Sequence, residues 1–210
     1  MNSIQQFVHL ILHLNVYLGQ WVHTYGLWSY ALLFGIVFCE TGVVVLPFLP
    51  GDSLLFAAGS VWASSGLPVQ GLVALLIVAA VCGDNVNYGL GRWLGPKVFQ
   101  RDRGWLNKKH LQETHAFYER YGRMAIILAR FIPIVRTFVP FLAGIGRMRY
   151  RTFLALSIVA AALWVIVLVG AGYYFGNISM VKNHFSVVIV VIIVISLIPP
   201  VVKWMRARGL

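Results

Sequence analysis

One apolar segment carries two arginines and two prolines, and basic clusters flank it on both sides. It reads Ala129-Arg-Phe-Ile-Pro-Ile-Val-Arg-Thr-Phe-Val-Pro-Phe-Leu-Ala-Gly144, within a longer apolar stretch over residues 124–146. A basic stretch, residues 92–123, precedes it, and Arg147, Arg149 and Arg151 follow. Basic loops stay on the cytoplasmic side of a membrane. A single crossing would leave one of the two clusters outside. The segment is therefore expected to enter from the cytoplasm, turn between Pro133 and Pro140, and return. Two arms of about 10 helical residues reach ~15 Å, half of a ~30 Å hydrocarbon core. Broken backbone at that depth is tolerated only inside protein or around a cavity, so a re-entrant hairpin carrying two arginines points to transport.

The rest of the chain agrees with a membrane setting. Its 210 residues are 60% hydrophobic and 11% charged, with a mean hydropathy of +0.80. Such a composition excludes a soluble globular domain and predicts an all-α integral membrane protein, one membrane domain over residues 1–210. The net charge of +11 comes from basic residues at the ends of apolar segments, where they set topology and meet lipid headgroups. Nucleic acid is excluded as a partner on that ground. Cys39 and Cys82 lie in apolar segments without a paired framework, so both are expected to be free, buried thiols. The N-terminus lacks the charged region and cleavage site of a signal peptide. No cofactor is implied. His9 and His13 lie four apart but have no acidic or cysteine neighbours, so no metal site is expected.

The distribution of basic residues orders the spans. Of 17 Lys and Arg, eight fall in 92–123, three in 147–151 and three in 203–208. The C-terminus is then cytoplasmic, residues 184–202 and 152–175 span, and the loop holding Lys182 is external. Residues 72–91 form another span, and 92–123 a cytoplasmic basic loop with a surface helix near 109–121. The stretch 29–63 is interrupted by Glu40, Pro47, Pro50, Gly51 and Asp52. Proline and glycine break helices there, and a second re-entrant hairpin is expected, opposed to the first. Residues 1–27 read as an amphipathic N-terminal helix lying in the interface, with Gln5, Gln6, His9, His13 and Gln20 near one face. Pro47-Phe-Leu-Pro-Gly51 echoes Pro140-Phe-Leu-Ala-Gly144, as an inverted repeat would, and such repeats hold their substrate at the midplane.

Five ionisable residues fall at membrane depth: Glu40, Asp52, Asp84, Arg130 and Arg136. Each costs roughly 2.5–3.5 kcal/mol at a helix centre, so they pair, face water or bind something charged. Arginine suits phosphate, because its planar fork donates several hydrogen bonds and stays ionised. Arg130 and Arg136, separated by Pro133, can grip a headgroup from two sides of a bend. The structural alternative is that they only salt-bridge to Glu40 and Asp52. Carboxylates in low dielectric take up protons more readily than in water, which makes Glu40 and Asp52 candidates for proton coupling. The competing role for Asp52 is capping the apolar run after it. Asp84, Asn87 and Thr137 are candidates to line the cavity, with helix–helix hydrogen bonding as the alternative for Asp84. Pro47, Pro50, Gly51, Pro133, Pro140 and Gly144 are the expected hairpin breakers.

Several motifs in order carry a resemblance. They are Phe38-Cys-Glu40-Thr-Gly, Pro47-Phe-Leu-Pro-Gly-Asp52-Ser, Gly83-Asp84, Asn87-Tyr-Gly-Leu-Gly91-Arg92, Phe117-Tyr-Glu-Arg-Tyr-Gly122, Ala129-Arg130-Phe-Ile-Pro-Ile-Val-Arg136-Thr and Ala143-Gly144. Together, over residues 5–205, they resemble the DedA family of bacterial inner-membrane proteins, whose VTT core domain is shared with eukaryotic lipid scramblases. The resemblance implies two opposed re-entrant hairpins and movement of lipid between leaflets. It also implies undecaprenyl phosphate as substrate and dependence on the proton gradient, and it assigns function to Glu40, Asp52, Arg130 and Arg136. The partners expected are therefore membrane lipids and protons, with homo-oligomerisation left open. The location expected is the bacterial inner membrane, multi-pass. The leading reading is a lipid-phosphate flippase without enzymatic activity. A broad phospholipid scramblase and a proton- or cation-coupled small-solute transporter stand as alternatives.

Overall fold

The structure, a computed structural model, describes residues 14–42, 51–98, 122–130, 132–192 and 194. Every regular element among them is helical. The order is α1 (Leu14–Tyr25), α2 (Trp28–Gly42), α3 (Gly51–Ser65), α4 (Val69–Val98), a 3-10 turn (Gly122–Met124), α5 (Ala125–Ala129), α6 (Pro133–Ile145), α7 (Tyr150–Phe175) and α8 (Ser179–Asn183). Residues 185–192 are also helical. Pro47, Pro50, most of the basic loop and the first part of the N-terminal segment lie outside the described residues.

Among the described residues, two helices are long and apolar enough to cross a bilayer. They are α4 over Val69–Leu94 and α7 over Tyr150–Phe175, 26 residues each. At 1.5 Å per residue each reaches about 39 Å, more than the ~30 Å of hydrocarbon. Val78 and Val86 on α4, and Val159, Ile166 and Val167 on α7, stand exposed. Such rows of bare aliphatic side chains suit acyl chains and not water. Both helices extend past the expected ranges of 72–91 and 152–175.

Residues 124–146 do not form one rod. α5 stops at Ala129 and Arg130 caps it. Ile132 is extended (φ −121°, ψ 106°), and Pro133 stands at the first position of α6. The physical cause is local: the proline ring pushes the preceding residue out of the helical region and presets its own φ for the next helix. The expected turn between Pro133 and Pro140 is therefore corrected. The break falls between the end of α5 at Ala129 and the start of α6 at Pro133, while Pro140 and Gly144 sit inside α6. Pro140 supplies no N–H to the Arg136 carbonyl, yet α6 continues through it to Ile145.

The chain forms two compact units. The first comprises the described residues of Met1–Ile36, Leu49–Leu76 and Trp164–Leu210; the second those of Val37–Phe48 and Ile77–Leu163. In the first, α1 packs on α3 and buries Leu18 and Val22. Trp62 is fully buried and donates its Nε1–H to the Tyr30 hydroxyl at 3.0 Å, edge-on to that ring. In the second, Tyr88, Ile126, Ala129, Val135, Val139, Ala143 and Phe153 make one apolar cluster. Tyr88 stacks on Phe153 with centroids 4.4 Å apart.

Each unit contains the same helix-on-helix contact. In the second, a Cβ on Gly144 would strike the Tyr88 carbonyl and lie 2.8 Å from the Arg92 nitrogen, and one on Gly91 would strike the Phe141 carbonyl. In the first, a Cβ on Gly59 would strike the Val169 carbonyl and lie 2.9 Å from the Tyr173 nitrogen, and one on Gly172 would strike the Phe56 carbonyl. Backbones this close admit only glycine. Phe56-Ala-Ala-Gly59 thus plays the part of Phe141-Leu-Ala-Gly144, a different register from the echo at Pro47–Gly51. Along the partner helices, residues 74–91 and 155–172 agree at nine of 18 positions. In that alignment Asp84, Asn85 and Asn87 correspond to Val165, Ile166 and Leu168. At these three positions only α4 carries polar side chains.

Candidate functional site

The second unit gathers four of the five ionisable residues singled out at membrane depth. Glu40 lies in the last turn of α2, Asp84 in the middle of α4, Arg130 at the break after α5, and Arg136 in the first turn of α6. All are buried, with exposures of 0%, 2%, 5% and 8%. Arg136 donates from Nη2 to Glu40 Oε1, and Arg130 from Nη1 to Asp84 Oδ2. Ser157 on α7 donates its hydroxyl to the same Asp84 oxygen at 2.6 Å. The quartet is formally neutral: two guanidiniums against two carboxylates.

Local sequence accounts for the placement. On an unbroken helix, residues six apart would point about 240° from one another. The break between α5 and α6 removes that constraint, so both arginines can be buried in the same unit. Gly42 and Gly83 let α2 and α4 cross in contact; a Cβ on Gly42 would lie 3.2 Å from the Gly83 Cα. That crossing carries Glu40 inward. Asn87, fully buried, ties the pieces together. Its amide nitrogen donates to the Thr137 carbonyl at 2.6 Å and the Thr41 carbonyl at 3.4 Å. Both partners are acceptors, which forces the amide's orientation. Its Oδ1 meets no donor among the described residues.

Asp52 falls in the first unit. It sits in the first turn of α3, where a carboxylate meets the positive end of the helix dipole. It is half-buried, and the buried Trp164 donates its Nε1–H to Asp52 Oδ1 at 2.9 Å. The alternative that pairs the arginines with Glu40 and Asp52 is corrected accordingly: Arg136 does pair with Glu40, but the partner of Arg130 is Asp84. Thr137 is buried and its carbonyl serves Asn87. Gly144 contributes close packing instead of a break. Gly51 begins α3.

Two contributors escaped the sequence reading. Ser157 is the lone hydroxyl between Thr152 and Tyr173 in an otherwise apolar helix, a signal that could have marked it. Trp164 had no such signal, since tryptophan in an apolar helix is ordinary. Among the described residues no cluster of three His, Cys, Asp or Glu could hold a metal. Cys39 and Cys82 are free thiols, but both are exposed, not buried as expected.

A helical chain with two bilayer-length apolar helices, exposed aliphatic rows and ion pairs sealed inside is an integral membrane protein, and the VTT domain model matches it over residues 49–174. Protein DedA of Escherichia coli K12 is 48% identical over 211 residues, covering 99% of this chain and 96% of that protein. An uncharacterized membrane protein of Mycobacterium tuberculosis is 43% identical over 192 residues, covering 89% and 84%. The inner membrane protein YghB of E. coli K12 is 35% identical over 158 residues, covering 74% and 71%. The chain belongs to the DedA family of inner-membrane proteins. No solved structure matches it.

Proposed function

We propose that the protein moves a lipid phosphate, undecaprenyl phosphate or a related lipid, between leaflets in a manner linked to the proton gradient. The observation that supports this reading is the neutral buried quartet of Glu40, Asp84, Arg130 and Arg136. A phosphate entering beside Arg136 competes with Glu40 for the same guanidinium, which offers it a bidentate fork. The displaced carboxylate is then buried without its cation, and a proton relieves that cost. Anion entry and proton uptake are thereby coupled through one exchange of partners. A proton travelling with the anion removes a penalty of ~2.3 kcal/mol per charge per 100 mV. Asp52, held by Trp164, supplies a second protonatable group in the first unit. Residues 29–63 and 124–146 act as opposed re-entrant hairpins in this scheme, and the lipid tail stays in the hydrocarbon.

Proteoliposomes containing labelled undecaprenyl phosphate test the proposal. Arg130→Ala and Arg136→Ala are expected to abolish transport, and Glu40→Gln to make the residual rate indifferent to a pH gradient. Folded arginine variants that transport at the wild-type rate would eliminate the site. Headgroup-insensitive exchange that ignores the gradient would instead identify a scramblase.

A further inference from the structure

We propose that the turn after α6, together with the end of the α4 span, is a docking surface for anionic phospholipid headgroups, separate from the buried quartet. Arg92 and Trp93 on α4 are exposed, and so are Arg147, Arg149, Tyr150 and Arg151. The two segments are held together. Tyr88 donates its hydroxyl to the Met148 carbonyl at 2.6 Å, and its ring lies 5.9 Å from that of Tyr150. The close passage of Gly144 by the Arg92 backbone fixes the same edge. Neither residues 88–94 nor 144–151 contain an acidic side chain, and among the described residues none of the four guanidiniums forms an ion pair, so this edge carries a positive surface.

The turn's backbone makes the choice of arginine notable. The Met148 N–H bonds the Ala143 carbonyl at 3.0 Å and the Arg147 N–H bonds that of Gly144 at 3.1 Å. This is the helix-ending motif whose left-handed position glycine normally fills. Arg147 occupies it at φ 49°, the sole non-glycine residue with positive φ among the described residues. Glycine would be the more stable choice, and strained side chains of this kind cluster where they serve binding. The occupant follows from position. The α7 span starts here and the α4 span ends here, so both leave the apolar layer at this edge. Trp93 and Tyr150 are amphipathic rings of the sort that lie at headgroup level. Basic side chains at that level attract anionic lipid, and guanidiniums hydrogen-bond its phosphate.

The test uses the purified full chain in neutral detergent, titrated with phosphatidylglycerol, phosphatidylcholine or inorganic phosphate while thermal unfolding is followed. Phosphatidylglycerol is expected to raise Tm, and the other two to leave it unchanged. Arg147→Gly is expected to raise the lipid-free Tm, by relieving the backbone, while weakening phosphatidylglycerol binding about fivefold. Arg149→Gln with Arg151→Gln, which leaves that backbone position untouched, weakens it more than tenfold. Equal responses to the two lipids, a matching response to inorganic phosphate, or unaltered phosphatidylglycerol affinity in both variants would overturn the proposal. Because no transport is measured, its failure and that of the translocation reading are separable.

Discussion

Replacing Asp84 by asparagine keeps the side chain's shape and the bond from Ser157 but removes the charge facing Arg130. Asp84 is 2% exposed and Arg130 5%, so water cannot take over. Removing one partner of a buried pair costs ~3–5 kcal/mol, chiefly because the other charge stays buried. Against a total stability of ~5–15 kcal/mol, that is about a fifth or more. Arg130→Met removes the opposite partner at similar volume. The double variant Asp84→Asn/Arg130→Met leaves no uncompensated charge and is expected within ~1–2 kcal/mol of wild type. With a similar loss for each single variant, the coupling between the two sites is then at least ~4 kcal/mol. Unfolding of the four proteins by SDS in mixed micelles, followed by helical circular dichroism, measures it. Losses that add within ~0.5 kcal/mol would refute the pairing. The same proteins divide assembly from transport. If Arg130 holds phosphate, the double variant recovers stability and stays inactive; transport returning with stability would remove Arg130 from the site.

Three further outcomes follow from the packing. Gly144→Ala forces a Cβ against the α4 backbone and is expected to cost more than ~2 kcal/mol, whereas Gly19→Ala, in open space within α1, gains ~0.5–1 kcal/mol; thermal unfolding compares them. Trp164→Phe deletes the 2.9 Å bond to Asp52 and is expected to cost ~1–2 kcal/mol in thermal unfolding; unchanged stability would dismiss the contact. Cys39 and Cys82 are expected to react with a membrane-permeant maleimide in the folded, detergent-solubilised protein, as mass spectrometry reads directly; protection until unfolding would contradict their exposure.

Hydropathy and charge placement were sufficient to read an all-α membrane protein with spans near 72–91 and 152–175. Bilayer thickness and the cost of buried charge leave few other solutions for such a chain. The interruption in 124–146 was legible from Pro133, but its position was not. Pro133 starts a helix and Pro140 is absorbed by one, and the two prolines are indistinguishable until their neighbours are packed. The inventory of buried charges was also legible, since each ionisable side chain in an apolar run demands an explanation. Which carboxylate answers which arginine was decided only in three dimensions. Glu40 reaches Arg136 because α2 crosses α4 at Gly42 and Gly83, and the Asp84 oxygen that meets Arg130 is also held by Ser157 of α7. Pairing energy depends on the distance and burial of atoms more than 40 residues apart along the chain, and no periodicity or local propensity encodes that distance.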